Sequence, residues 1–542
     1  MLGERARELG WLLPPVVAGM GLRLLGLSRQ LLGGDEIHAV RFAWELHIEE
    51  VLFTYKASDF CQPLTALYKL GRIAGLEWSE MGMRVPILVA ALAVLVAGPW
   101  IVRRRLGRET AAWLAWLLAL SPLLVLYGRI IRSYTPIVLL SGLAVTAFWV
   151  WWRGGDRRHA WAYAVLAPLA VYFHLVAAPM VAAPFLFAAG ELVARRQEVG
   201  RRLRGLAATG LGALAGLAAF LVPAWSSLRE VMASKQQEAI PAKAWLGALQ
   251  LQAGTSSTGL TAAFWALALV GLGVLLRRER ALAVYTLVLV AAQVAGVLLM
   301  TPLASHIPVI LNRYLLVLTP IVLLWTATAL AHPWLGEGRR RWRRAALVVW
   351  LGIAFFAGPL ADGEYRWGSF THSDYFLAFD LPRARLDPAE VPAFYLDLAR
   401  EEPGEHDAVL EVPGTYYWRL VRSYALYQKH HRRPVLLGIP YAEYLDGYAF
   451  RGLVRLTKAE MLASSARYLV IHRQPLREVP EKVREADAEP RMGPELIRVL
   501  NQISKASHAL AGRVRELWGP PIYEDEWIWV WDLDVARSSS VK

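Results

Sequence analysis

A chain of 542 residues with 56% apolar and 19% charged side chains is too apolar for a water-soluble fold, which carries roughly 25% charged residues. That composition also excludes a disordered or collagen-like chain, and Cys61, the single cysteine, excludes an intrachain disulfide framework and any multi-cysteine zinc or iron–sulfur site. The net charge of +14 leaves three readings open: a nucleic-acid surface, an acidic substrate, or the charged collar of membrane spans.

In chain order, the first apolar run long enough to cross roughly 30 Å of hydrocarbon covers residues 10–28. It has an Arg-bearing start and no small-residue cleavage site after it, so it reads as a retained anchor. A segment of some 55 residues follows, opening on Gly33-Gly34-Asp35-Glu36-Ile37-His38. Ile37, Val40, Trp44, Ile48 and Val51 then recur at helical spacing, with Glu45, Glu49 and Glu50 off the stripe, which predicts an amphipathic helix lying in the membrane interface. A second such helix is expected after Pro63, carrying Leu64, Leu67, Leu70, Ile73 and Ala74.

Further spans are expected at 84–102, 110–127 and 134–152. The apolar stretch 160–193 is too long for one span and reads as two short ones meeting near His174. Others follow at 206–225, 261–276, 281–301, 310–331 and 345–361, about eleven transmembrane helices in total. The alternate connections differ in basic charge. One set, 103–109, 153–159, 194–205, 277–280 and 333–344, holds 20 Lys and Arg in 42 residues, and the other, 27–83, 128–134, 226–260 and 302–313, holds 11 in 111. By the positive-inside rule the first set is cytoplasmic. The N-terminus is then inside, and the first loop and the tail are outside.

Residues 1–361 carry a balance of +17 and residues 362–542 one of −3, so the chain divides into a membrane domain and a slightly acidic extracytoplasmic domain. The tail holds short β-rich runs at 408–412, 434–438, 467–471 and 527–531, alternating with helical stretches near 415–430, 458–466 and 493–516. This predicts a soluble α/β domain, with 362–405 as a linker. Thr457 and Glu460 have capping-box spacing.

Asp35 and Glu36, held at the membrane surface by interfacial helices, form a carboxylate pair. Such a pair can serve as a general base with an orienting or cation-binding neighbour; equally, Asp35 caps a helix after a glycine turn. Arg129 and Arg132 stand with Tyr134 in a seven-residue outer loop, against the positive-inside bias. They match phosphate oxygens or snorkel to lipid headgroups, and Arg313 at the outer start of the tenth span has the same two readings. His38, Gln62 and His174 are candidate substrate contacts. No Walker loop, Rossmann glycine fingerprint or HExxH is present, which weakens nucleotide-driven and zinc-protease readings.

The retained first span, the Asp35-Glu36 pair, the long first outer loop with interfacial helices, about eleven spans and an outer C-terminal domain together resemble the GT-C membrane glycosyltransferases. Within them the similarity is to glycosyltransferase family 39, the branch of protein O-mannosyltransferases and lipid A aminoarabinose transferases. The resemblance implies that Asp35 is the catalytic base, with Glu36 as its neighbour. It further implies that Gly128-Arg129-Ile130-Ile131-Arg132-Ser133-Tyr134-Thr135-Pro136 contacts the donor phosphate. Where family members often carry a basic residue before Pro-Pro-Leu, this chain has Cys61-Gln62-Pro63-Leu64; Gln62 supplies a neutral donor there, leaving the charge to the arginines.

The expected function is inverting transfer of a sugar from a polyprenyl-phosphate donor to a lipid, glycan or protein acceptor at the outer face of a bacterial cytoplasmic membrane. No cofactor is required, a divalent Mg or Mn ion is compatible, and no nucleic acid is expected as a partner. The alternative is a lipid-linked sugar transporter or flippase without transferase activity. Transporters tend to show repeat symmetry and ionisable groups deep in spans, neither of which is clear here.

Overall fold

The structure is a computed structural model. It describes residues 10–25, 27, 36, 42–43, 46–55, 61–76, 78, 80–195, 199–234, 239–255, 257–300, 302, 305–306, 308–332, 352, 391–402, 407–412, 427, 430–431, 433, 435–437, 461–462, 466–473 and 493–540. The chain packs as two compact units, residues 1–30 with 35–379 and residues 31–34 with 380–542.

The described elements of the first unit are helical, and the protein is a membrane protein. Among the described residues, seven helices are long and apolar enough to cross a bilayer. Helix α1 (Leu13–Leu24) is the described part of the first span. Helix α2 (Ile48–Phe53) corrects the expected continuous interfacial helix over 37–51. His47 is extended (φ −69°, ψ 157°) and starts a new helix with Glu50 in a reciprocal capping box, so the apolar stripe runs across a break. Helix α3 (Gln62–Ile73) starts on Pro63 as expected. It buries Leu64, Tyr68 and Gly71 and leaves Leu67, Leu70 and Ile73 exposed, as an interfacial helix should.

Two expected spans, 84–102 and 110–127, fall in α4 (Glu80–Leu120), which is two helices joined across a kink, and the second is continued by α5 (Pro122–Tyr127). The kink is at Gly107, whose φ of 86° and ψ of 167° lie in a region open essentially to glycine alone. Helix α6 (Tyr134–Gly154) ends on left-handed Gly155. Helices α7 (Arg157–Phe173) and α8 (Ala178–Arg195) meet at an extended His174 (φ −165°, ψ 124°) and a single 3-10 turn, so the stretch 160–193 is broken into two helices at the expected residue. Next come α9 (Val199–Leu221), α10 (Trp225–Ser234) and α11 (Ala242–Ala253). Then follow α12 (Thr258–Arg278), α13 (Arg280–Met300), α14 (Pro308–Leu315) and α15 (Thr319–Ala331). The expected span 345–361 lies outside the described residues except for Gly352.

Without water to drive apolar association, membrane helices pack through small residues and shared polar contacts. Gly271 of α12 lies so close to α15 that a Cβ there would stand 1.7 Å from the Trp325 carbonyl oxygen. Trp325 in turn donates its indole N–H to Thr286 Oγ1 of α13 at 3.1 Å. Gly271→Ala is expected to force the two helices apart at a cost of about 1–3 kcal/mol, read as a lower thermal midpoint in detergent. Gly273→Ala, whose Cβ would meet nothing within 4 Å, is the control; equal midpoints for both variants would refute the close-packing argument.

The second unit is an α/β layer structure. Helix α16 (Ala393–Leu398) falls within the stretch expected to be a linker. Strands β1 (Ala408–Val412), β2 (Val435–Leu437), β3 (Ala466–His472), β4 (Tyr523–Glu524) and β5 (Ile528–Asp532) form one sheet in the order β2-β1-β3-β5-β4. The first three are parallel, and β5 is antiparallel to β3 and β4. Helices α17 (Gly493–Trp518) and α18 (Leu533–Ser540) complete the unit. Apolar groups fill both faces: Phe394, Tyr395, Val409, Val470 and Val530 on one, Leu410, Leu469, Leu510, Val514 and Trp529 on the other. Such two-sided burial is why the parallel strands read as continuous apolar runs. The Thr457–Glu460 capping box and most of the 415–430 helix lie outside the described residues.

At the C-terminal ends of β1 and β3, Glu411 and His472 are fully buried, with His472 Nε2 2.6 Å from the Glu411 carboxylate and the Tyr395 hydroxyl 2.9 Å from both carboxylate oxygens. His431 stacks on Tyr395. Burial, with Arg433 and His430 adding to it, lowers the His431 pKa to about 4.

Candidate functional site

The site is built on the turn between α5 and α6. Pro122 starts α5, and Gly128 ends it at a place where a Cβ would lie 2.8 Å from Arg23 Nε, so only glycine lets the first span's arginine pass. Arg23 is buried and donates to the carbonyl oxygens of Gly19, Ala119 and Leu118. Arg129 turns the same way. Its NH1 donates to the carbonyls of Leu22 at 3.1 Å and Leu25 at 2.8 Å, the open end of α1, where a cation is favoured.

Glu36 latches this turn. Its Oε1 accepts the Ile131 N–H at 2.8 Å and faces Arg84 NH2 at 3.5 Å, both side chains being 1% exposed. Arg84 Nε donates to the Arg129 carbonyl at 3.3 Å, so the pair grips the backbone on both sides of Ile130. A buried ion pair holds only when its remaining hydrogen-bonding capacity is also met, and here the backbone of the turn contributes to meeting it. Nearby, Cys61 Sγ and Ser133 Oγ are 3.1 Å apart. Burial pushes the Tyr68 phenol of α3 well above its ordinary range, Cys61 and Glu36 push it further, and Arg84 opposes them. Tyr68 therefore joins Cys61, Glu36 and Arg84 in one neighbourhood.

On the other side of the turn, the structure brings three of the expected residues around the ring of a fourth, Tyr134. The Arg132 guanidinium lies 5.9 Å and that of Arg313 5.7 Å from the Tyr134 ring centre, within cation–π range. Arg313 NH1 also reaches the Tyr134 hydroxyl at 3.5 Å. The His174 ring is 5.7 Å from Tyr134, and Tyr127 is 5.0 Å away. His174 Nδ1 accepts the Val176 N–H at 3.3 Å; in the neutral ring this places the proton on Nε2. Arg132 and Arg313 are 6% and 7% exposed.

Gln62, 4% exposed, has a buried Oε1 without a partner among the described residues, and so does Asn312 Nδ2, beside Arg313. Asp35 and His38 lie outside the described residues. Arg84, Cys61 and Asn312 are additions to the residues read from sequence; a cation in the first turn of a span was the available mark of Arg84.

Arg84, Arg132 and Arg313 bring three buried guanidinium groups to the two sides of this turn. Glu36 serves Ile131 and Arg84, and among the described residues no group of three His, Cys, Asp or Glu side chains could hold a metal.

The chain has the fold of polytopic membrane proteins of the GT-C type. The chain is similar to ArnT from Cupriavidus metallidurans in the apo state, with a TM-score of 0.51 at 14% identity, covering 86% of this chain and 93% of that one. It is equally similar to ArnT from the same organism bound to undecaprenyl phosphate, at 14% identity and a TM-score of 0.51 over 85% and 93% of the two chains. The archaeal oligosaccharyltransferase AglB from Archaeoglobus fulgidus matches with a TM-score of 0.42 at 14% identity over 86% and 69%. No family model and no curated protein matches the sequence.

Proposed function

We propose that the chain is an inverting glycosyltransferase that moves one hexosyl or pentosyl unit from a polyprenyl-phosphate carrier to an acceptor at the outer face of a bacterial cytoplasmic membrane. The supporting observation is the arrangement of Arg132 and Arg313 around Tyr134, on a turn latched by Glu36 and Arg84. Arg84 and Arg105 both lie on α4, 21 residues apart, or about 30 Å along a helix. The site and the Arg103–Arg105 cluster therefore belong to opposite membrane faces, and the positive-inside rule puts the cluster in the cytoplasm.

In the proposed reaction the acceptor oxygen attacks the anomeric carbon as the carbon–oxygen bond to phosphate breaks. The phosphate leaves with the bonding electrons, and Asp35 takes the acceptor proton. Arg132 and Arg313 stabilise the charge that develops on the departing phosphate. Arg129 is engaged with the end of α1 and acts on the turn. Gln62 Oε1 is placed to accept a hydrogen bond from a sugar hydroxyl, and His174, beside Tyr134, is a further substrate contact. Glu36 orients the site by holding Ile131.

Binding of undecaprenyl phosphate to the purified full chain tests the anion site. Arg132→Gln and Arg313→Gln are each expected to weaken it about tenfold, and Arg201→Gln, on α9, is expected to leave it unchanged. Unaltered affinity in both site variants would remove the phosphate assignment. Movement of a lipid-linked sugar between leaflets with no acceptor modified would favour a flippase instead.

A further inference from the structure

The membrane unit contains a cavity of about 200 Å³, against the roughly 10–15 Å³ that one water needs. It lies between α4, α6, α13 and α15, with Val94, Ile101, Leu139, Leu143, Leu289 and Leu324 among its lining residues. Several of these are only partly buried, so the cavity opens sideways as a groove. Two of its few polar walls are engaged with the protein. The Tyr285 hydroxyl donates to the Val145 carbonyl at 2.6 Å, and Thr286 Oγ1 donates to Ala283 and accepts from Trp325. The lining is otherwise mostly apolar, which suits a hydrocarbon chain better than a sugar.

One end is different. Arg105 lines it, with its guanidinium 5.3 Å from the Trp149 ring and paired to Glu279 at 2.8 Å. Arg103 and Arg104 flank it over Trp100, and Arg277, Arg278 and Arg280 adjoin Glu279 in sequence, so cations outnumber the carboxylate. Gly142 of α6 is also a lining residue, and a Cβ there would meet nothing within 4 Å. The groove therefore owes part of its width to a missing side chain.

We infer that this groove holds one acyl chain of an anionic phospholipid whose headgroup rests at the Arg103–Arg105 end, the membrane face opposite the Tyr134 site. The other end of the groove, at Val138 and Val317, lies four residues along the chain from Tyr134 and Arg313, but the headgroup end does not, and the inference does not depend on the donor assignment.

The test uses the full chain in phosphatidylcholine nanodiscs with phosphatidylglycerol carrying a diazirine at the end of one acyl chain. Photolabel is expected on the segments 94–118 and 139–149. A phosphatidylcholine probe of the same chain should label them at least threefold less. Gly142→Phe, folded by its thermal midpoint, is expected to reduce the label at least tenfold. Should that variant fail to fold, Arg105→Gln is expected to abolish the headgroup preference without filling the groove. Equal labelling by the two probes overturns the inference, as does undiminished labelling of folded Gly142→Phe. One-for-one displacement of the probe by undecaprenyl phosphate overturns it too, because the groove would then belong to the donor.

Discussion

Asp35→Asn is expected to lower sugar transfer by about 10²–10⁴-fold, the range contributed by a positioned general base, with the chain folded and undecaprenyl phosphate bound as tightly as before. The substitution keeps the size of the side chain and its ability to cap a helix, and removes only its capacity to take a proton near neutral pH. A capping role and a catalytic role therefore give opposite results. An Asp35 that only caps would leave the Asn variant both as stable and as active as the natural chain. The measurement is transfer from a panel of polyprenyl-phosphate sugars by purified enzyme, beside the donor-binding constant. Normal turnover would eliminate Asp35 as the base.

Glu36→Ala has the second large expected effect, on the fold and the site together. Arg84 loses the carboxylate 3.5 Å from its guanidinium and the Ile131 N–H loses its acceptor. Removing one partner of a buried pair typically costs about 3–5 kcal/mol, read as a lower thermal midpoint. Glu36→Gln keeps an oxygen for Ile131 and is expected to lose less. Combining it with Arg84→Met removes the stranded cation, so stability should partly recover. Weakened undecaprenyl phosphate binding in Glu36→Gln, with the protein still folded, would show that the latch positions Arg132. A Glu36 acting as a metal ligand would instead give a defect relieved by raising Mg²⁺ or Mn²⁺. Glu36→Ala as stable as the natural chain would discount the latch.

Hydropathy shows where helices run because each must satisfy its own backbone in lipid, and the expected pair of short spans meeting at His174 came from length alone. The interruption at His47 was less visible, because apolar spacing at 37, 40, 44, 48 and 51 persists through it. Its mark was Glu50, three residues after the cap. Helix α16 was hidden in a Pro-rich, acidic stretch, since Phe394, Tyr395 and Leu398 gain their meaning only against β1 and β3.

For the site, residue types were legible and destinations were not. Arg129 and Arg132 look equivalent in sequence, yet the turn sends Arg129 to the carbonyls of Leu22 and Leu25 and Arg132 toward Tyr134. Sequence also could not pair Glu36 with Arg84 across 48 positions, and Arg84 passed as part of a span's charged edge.

The break at Gly107 bears on how the chain enters a membrane. Two apolar segments separated by so abrupt a reversal form a helical hairpin, with Arg103, Arg104, Arg105 and Arg108 at its tip. Carrying four guanidinium groups across hydrocarbon is costly. A tip so charged is expected to resist crossing, so that the two legs would enter the membrane together from the side of synthesis.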